Sequence, residues 1–280
     1  MNEYPPIDYL VVGHLSEDQT PQGPILGGTV AYSGLTAAAI GRSVGVVTSA
    51  ADSLDLSILS QLSIHRRTAA RSTSFENRYL PEGRVQSLLG RADDLTIEDV
   101  PVAWQQVEIV HLAPIAREVS IDLARAFPSS FVGLTPQGLM RNWDAAGRVS
   151  LGSWESVRQF LPLADAVVLS IEDLGMQQSA AEAIASHCQA LVVTEGPRGA
   201  RVYADGQWAS IPAPASSELD PTGAGDIFAA VFFSEYRRSG DPLAAAATSN
   251  HIASASVSRQ GLDSTPTVRE ARPALNLARD

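Results

Sequence analysis

Lysine is absent from all 280 residues, so the 20 basic side chains are arginines. That absence excludes a P-loop, whose lysine reaches the β- and γ-phosphates, together with protein-kinase catalysis and any lysine Schiff base. A chain of this composition that handles phosphate must hold it with backbone amides, arginine and Mg²⁺. The one cysteine, Cys188, forms no intramolecular disulfide and is expected as a small buried residue of a reduced, cytoplasmic protein. Histidines 14, 65, 111, 187 and 251 lack metal-ligand spacing, and no zinc is expected. There is no Gly-x-Gly-x-x-Gly turn after the first strand for a dinucleotide oxidoreductase. Long apolar runs are missing too: residues 19–41 carry no charge, but Pro21 and Pro24 forbid a spanning helix. The N-terminal Glu3 and Asp8 are unlike a signal peptide, so a soluble chain is expected. A net charge of −11 disfavours nucleic acid and anionic membranes as partners and suits a small neutral substrate.

What is present is a hydrophobic content of 45% against 18% charged residues, enough to bury a full core. Ile7 to Gly13 reads as a buried strand, Thr29–Ile40 as a helix and Val44–Thr48 as the next strand. Residues 73–90 alternate around Pro81-Glu82-Gly83-Arg84 and predict a hairpin, a small β-flap. Strands over 107–112, 130–135, 165–169 and 190–194 alternate with helices near 118–126, 154–161 and 178–188, the pattern of parallel crossovers. Asp205-Gly206 marks a hairpin, and helices follow over 223–239, the alanine-rich 242–257 and 267–277. With no repeat and no long linker, the expectation is one domain, residues 1–280, of three-layer α/β architecture with a mostly parallel sheet.

Residues 220–228, Asp-Pro-Thr-Gly-Ala-Gly-Asp-Ile-Phe, form a glycine-rich turn that opens into an apolar-periodic helix. First-turn N–H groups lack intrahelical partners, and with the helix dipole they attract anions. Gly223 and Gly225 let the chain approach such an anion closely, and Asp226 places a carboxylate beside it. The same dipole is expected to lower the pKa of Asp226 and make it a weak base. A purely structural alternative is that Asp226 only complements the dipole.

The segment resembles the signature of the ribokinase-like (PfkB) carbohydrate and nucleoside kinases, Asp-x-x-Gly-Ala-Gly-Asp, at Asp220, Gly223, Ala224, Gly225 and Asp226. The resemblance runs from Gly13 to about Gly261. It implies an ATP- and Mg²⁺-dependent transfer of phosphate to a hydroxyl, with Asp226 as general base and residues 223–226 as anion hole. Thr194, Gly196 and Gly199 match the family's nucleotide turn, and Asn250 falls where the family lines the adenine pocket, a plain exposed asparagine being the alternative. Where the family carries Asn-x-x-Glu near Mg²⁺, this chain has Ser170-Ile171-Glu172-Asp173, leaving Asp173 as the matched acid and Glu172 beside it; a Ser–Asp helix cap is the competing reading.

For the acceptor, the resemblance assigns Asp18 and the pair Gly27-Gly28, but this chain has Tyr32 where the family commonly has asparagine. Thr73, Phe75, Glu76 and Asn77 lie on the flap, where polar side chains, Asn77 among them, are placed to close over a sugar, an exposed β-ribbon being the alternative. Gln137 and Arg141, in Gly133–Arg141 followed by Trp143-Asp144, are candidates for hydroxyl or phosphate contacts, and that stretch is similar to the branch with plant myo-inositol kinases. The expected partner is a small sugar, polyol or nucleoside, with the protein a monomer or homodimer. A catalytically silent nucleotide- or sugar-binding sensor is the second reading, against which intact Asp226 and its glycines count.

Overall fold

The computed structural model describes residues 4–80 and 83–277, so Pro81 and Glu82 of the expected flap turn lie outside the described residues. Its strands are β1 (Tyr9–Val12), β2 (Ser16–Thr20), β3 (Gly23–Gly27), β4 (Val44–Ala50), β5 (Ser63–Thr68), β6 (Ser74–Leu80), β7 (Gly83–Gly90), β8 (Ile109–Leu112), β9 (Phe131–Leu134), β10 (Arg141–Trp143), β11 (Val149–Leu151), β12 (Ala166–Ser170), β13 (Ala190–Thr194), β14 (Ala200–Ala204) and β15 (Gln207–Ile211). Helices are α1 (Thr29–Ala39), α2 (Ile121–Arg125), α3 (Gln137–Met140), α4 (Gln178–Ala185), α5 (Ala224–Ser239), α6 (Pro242–Ser256) and α7 (Val268–Leu277). A nine-stranded sheet runs β15-β14-β13-β12-β9-β8-β1-β4-β5. It is parallel from β13 to β5, with β14 and β15 added antiparallel by the Asp205-Gly206 hairpin.

Both faces of this sheet are covered, which is why β1, β4 and β8 are buried along their whole length and largely apolar. One face packs against α1, α5 and α6 through Val30, Phe228, Phe232 and Ile252; the other holds Trp104, Phe127, Leu123 and Ile184. Layered architecture and parallel sheet are as expected from the strand–helix alternation.

Departures have local causes. The expected helix near 154–161 is instead two 3-10 turns, Trp154–Val157 and Leu161–Leu163, the second built around Pro162, which cannot continue a helix from the residues before it. The flap is larger than its hairpin: β6 and β7 join β2 and β3 in a four-stranded sheet ordered β3-β2-β6-β7. Neither Ser-Glu-Asp-Gln-Thr nor Gly-Pro-Ile-Leu-Gly alternates apolar with polar, so pairing alone makes them strands. The edge strand β5 and the short β10–β11 hairpin are likewise products of pairing.

The flap is tied to the sheet by a buried polar joint. His14, directly beyond β1, meets Thr73 Oγ1 through Nδ1 at 2.7 Å and the Asp93 carbonyl through Nε2 at 2.8 Å, while Thr73 Oγ1 accepts from the Ala92 N–H. Its own N–H donates to the fully buried Glu118, whose carboxylate also accepts from the N–H groups of Ile115 and Ala116. One carboxylate therefore satisfies three backbone amides where β1 and β8 end. Glu118→Ala strands these amides without acceptors and should lower the unfolding free energy by about 3 kcal/mol, read as a fall in urea midpoint, with Glu118→Gln losing less; an unchanged midpoint in both would refute the joint.

Candidate functional site

The carboxyl ends of β1, β8, β9, β12 and β13 share one edge of the sheet, and the loops beyond them, with the flap, surround the start of α5. Asp220 shapes the approach: its Oδ1 accepts from the Thr222 N–H at 3.0 Å and its Oδ2 from the Gly261 N–H at 3.2 Å. Gly223 then caps α5 at φ 80°, a left-handed conformation costly for any residue with a Cβ, and a Cβ there would also strike the Tyr32 ring. Gly225 opens onto free space, with no atom within 4 Å of where its Cβ would stand. Among the described residues the N–H groups of Gly225 and Asp226 have no hydrogen-bond partner. Two unmet donors beside open space at a helix start form an anion cradle.

Asp226 sits at the floor of this cradle, half-buried by surface area yet enclosed on most sides by protein. Removal from water is the largest influence on its carboxyl; a hydrogen bond from the Thr29 hydroxyl and the Arg141 charge oppose it, and the Asp173 charge reinforces it, leaving a pKa raised to about 6. The dipole-lowered pKa expected from the sequence is thus overturned: desolvation outweighs the helix N-terminus. The group is ionised near neutrality yet basic enough to take a proton. The start of α1 is held against it, because Ser33 Oγ donates to the Asp226 carbonyl at 3.0 Å. Thr29 was not singled out from sequence, although its place directly after Gly27-Gly28 was the available signal.

A relay lies to one side. Arg141 donates through Nη2 to Gln137 Oε1 at 2.6 Å and through Nη1 to the Ile115 carbonyl at 3.3 Å, and Gln137 Nε2 donates to Asp173 Oδ1 at 2.9 Å. Asp173 Oδ2 accepts from the Ser170 N–H and Ser170 Oγ from the Glu172 N–H, so the helix cap weighed for this segment is formed. It does not remove Asp173 from the site, since the carboxylate still bears on Asp226. Glu172 is exposed at the rim. Among the described residues no three acids, histidines or cysteines cluster as a metal cage, so a hard cation fits here only by way of water and phosphate oxygens, with Asp173 and Asp226 supplying charge.

On the acceptor side, Asp18 on β2 lies close to Gly27, its Oδ2 3.0 Å from where a Cβ on that glycine would stand. Gly28 is held at φ 92° where a Cβ would meet the His14 carbonyl at 2.9 Å. The flap residues divide. Phe75 is buried with the Arg141 guanidinium 5.4 Å from its ring, and Asn77, on the same face two residues on, accepts from Gln86 at 3.0 Å. Glu76 points the other way and pairs with Arg78, and Thr73 is locked in the His14 joint, so neither closes over a substrate as expected.

Thr194 pairs in register with Ser170, setting its loop beside that of Asp173. Gly196 and Gly199 both take positive φ, 58° and 95°, in a turn closed by the Glu195 N–H on the Gly199 carbonyl at 2.7 Å. Asn250 is neither exposed nor free: it is 4% exposed, and its amide donates to the Ile211 and Pro212 carbonyls. Its observed work is to hold the strand end against which Gly199 packs. A cavity of about 500 Å³, lined by Glu17, Gln19, Arg71 and Ser72, opens on the flap face opposite Asp18 and touches none of the candidate residues.

Comparison with known proteins accords with this geometry. Residues 142–268 match the profile of the pfkB family of carbohydrate kinases. The ribokinase-like resemblance is borne out. A pyrophosphate-dependent kinase of the ribokinase family, complexed with a pyrophosphate analogue and myo-inositol, superposes with a TM-score of 0.80 at 22% identity, over 95% of this chain and 99% of that one. An ATP-bound fructokinase from Xylella fastidiosa gives 0.76 at 17%, over 98% and 99%, and a ribokinase from Thermotoga maritima 0.73 at 18%, over 96% and 99%. No curated protein sequence matches. The ribokinase fold is thereby shown over nearly the whole chain.

The raised Asp226 pKa has a consequence for stability. An acid whose pKa is higher folded than unfolded stabilises the fold below its unfolded value, and that contribution is lost as pH rises through the folded value. Asp226→Asn should therefore raise the melting temperature at pH 8, by about 2 °C per kcal/mol relieved in a chain of this length, and match the parent near pH 4. Equal melting temperatures at both pH values would contradict the buried-carboxylate account.

Proposed function

We propose that this protein transfers a phosphoryl group to a hydroxyl of a small neutral sugar or polyol. The observation that carries the reading is the Asp226 carboxyl, its pKa near 6, in the same helix turn as two unpartnered N–H groups. Phosphoryl transfer has a loose transition state, so positioning and charge stabilisation do most of the catalytic work. The amides of Gly225 and Asp226, with Gly223 and Ala224 shaping their turn, receive the transferring group's oxygens. Asp226 takes the proton that the acceptor hydroxyl loses as its oxygen attacks phosphorus and the donor's bridging P–O bond breaks, releasing ADP from ATP or orthophosphate from pyrophosphate. Thr29 orients that carboxylate, Asp18 accepts from another acceptor hydroxyl, and the Arg141–Gln137–Asp173 relay keeps a positive charge against the phosphate. Asp173 and Asp226, with Glu172 at the rim, would hold Mg²⁺, which would supply the remaining charge neutralisation.

ATP is the donor that the Thr194–Gly199 turn supports. Pyrophosphate is a second reading, favoured by Asn250, whose amide is committed to backbone carbonyls instead of facing a base, and by the fit to pyrophosphate-dependent kinases. A silent sensor would have no use for a basic carboxylate beside unmet amides. The whole is read as one kinase domain acting in the cytoplasm.

Purified protein supplied with Mg²⁺ and either ATP or pyrophosphate should consume one donor in the presence of a sugar or inositol from a panel. Asp226→Asn should cut kcat by about 10²–10⁴-fold and leave donor affinity within a few-fold; parent-like turnover would defeat the assignment. The pH profile of kcat/KM should rise with an apparent pKa of about 6 and level off above it, whereas a profile flat from pH 5 to 8 would exclude Asp226 as the base.

A further inference from the structure

The cavity of about 500 Å³ on the outer face of the flap takes no part in the phosphotransfer site. Glu17 and Gln19 of β2 and Ser74 of β6 line it from the flap, and Ser53 and Arg71 line it from the loops that follow β4 and β5. Gly90 leaves room for the Arg71 side chain, whose Cδ lies 3.4 Å from where a Cβ on that glycine would stand. Backbone bonds fix the surroundings: the Glu17 N–H donates to the Thr73 carbonyl at 2.8 Å, and Ser72 Oγ accepts from the Ala51 N–H at 3.2 Å. Among the described residues, the side chains of Glu17, Gln19, Ser53, Arg71 and Ser74 have no hydrogen-bond or ion-pair partner.

An arginine and a carboxylate thus line one cavity without pairing. That pattern suits a ligand with an anionic end and a hydroxylated body. A guanidinium fork matches phosphate oxygens and serine hydroxyls can donate beside it, whereas Glu17 accepts from hydroxyls and Gln19 both donates and accepts. At a net charge of −11, a single arginine suits one phosphate group and not several.

We propose that this cavity is a second, non-catalytic ligand site for the phosphate monoester of a small polyol. Arg71 takes the phosphate with help from the serine hydroxyls, and Glu17 and Gln19 take hydroxyls of the polyol. Bound there, the ester bridges the flap to the loops of the main sheet, one residue along β2 from Asp18. That this ester is the product of the reaction rests on the phosphotransferase reading.

The test is calorimetric titration of a myo-inositol monophosphate into the full chain and into its Arg71→Gln and Glu17→Gln variants, neither of which loses a partner within the protein. The parent should bind a second equivalent beyond that held at the catalytic site, and each substitution should weaken this event about tenfold. Orthophosphate alone and myo-inositol alone should each bind the cavity at least about tenfold more weakly than the ester. Turnover measured without added product should stay within about twofold of the parent in both variants. No binding, binding that either substitution leaves unchanged, or orthophosphate bound as tightly as the ester would overturn the proposal, and so would a loss of turnover in both variants. If the parent consumes no donor with any polyol, the phosphotransferase reading has failed separately. The titration still judges the cavity: an equivalent weakened by both substitutions supports the site, and one that they leave unchanged ends it.

Discussion

Two helix N-termini meet at one carboxylate. α5 begins at Gly223 and α1 at Gly28, and the Thr29 hydroxyl and the Ser33 hydroxyl of α1 reach the side chain and the carbonyl of Asp226. The meeting desolvates Asp226, and that desolvation makes its carboxyl a usable base despite a helix dipole that favours the charged form. It also brings Tyr32 against Gly223, since both lie in the first turns being joined. The rest of the site follows from where this junction stands on the sheet: beyond the carboxyl ends of β8, β9 and β12, after which the chain carries Glu118, Arg141 at the start of β10, and Asp173.

The flap depends on the same region by a different interaction. Glu118 gathers the amides at the ends of β1 and β8, and His14 passes the connection through Thr73 to β6. Asp18 and Asn77 thus sit on a sheet whose root is a buried polar joint beside a small apolar cluster of Phe75, Ile115 and Ala116. Buried joints of this kind are costly when half satisfied, which ties the flap's position closely to the main sheet. The Arg141 guanidinium over Phe75 adds a contact between the two sheets.

Much of this was legible in the chain. The motif at 220–226, its helix, the strand–helix alternation and the Asp205-Gly206 hairpin are local patterns, and local patterns survive folding because backbone sterics and amphipathic periodicity enforce them. Strands β2, β3 and β5 were not legible, because they are polar or irregular and exist only through pairing with partners remote in sequence. His14, Glu118 and Thr29 were likewise invisible as a group: each is an ordinary residue whose role lies in a neighbour far along the chain. Thr73 and Glu76 had been read together as flap residues, and only the pleat and the joint separated them.

By itself, then, the sequence determined that any phosphate would have to be met without lysine, by backbone amides and arginine, and that an acid would stand at a glycine-bearing helix start. Tertiary structure alone decided the strength of that acid. A pKa is set by the free energy of the charge in its surroundings, and burial by α1, the opposing Arg141 and the neighbouring Asp173 come from three separate stretches of chain. No motif encodes their sum.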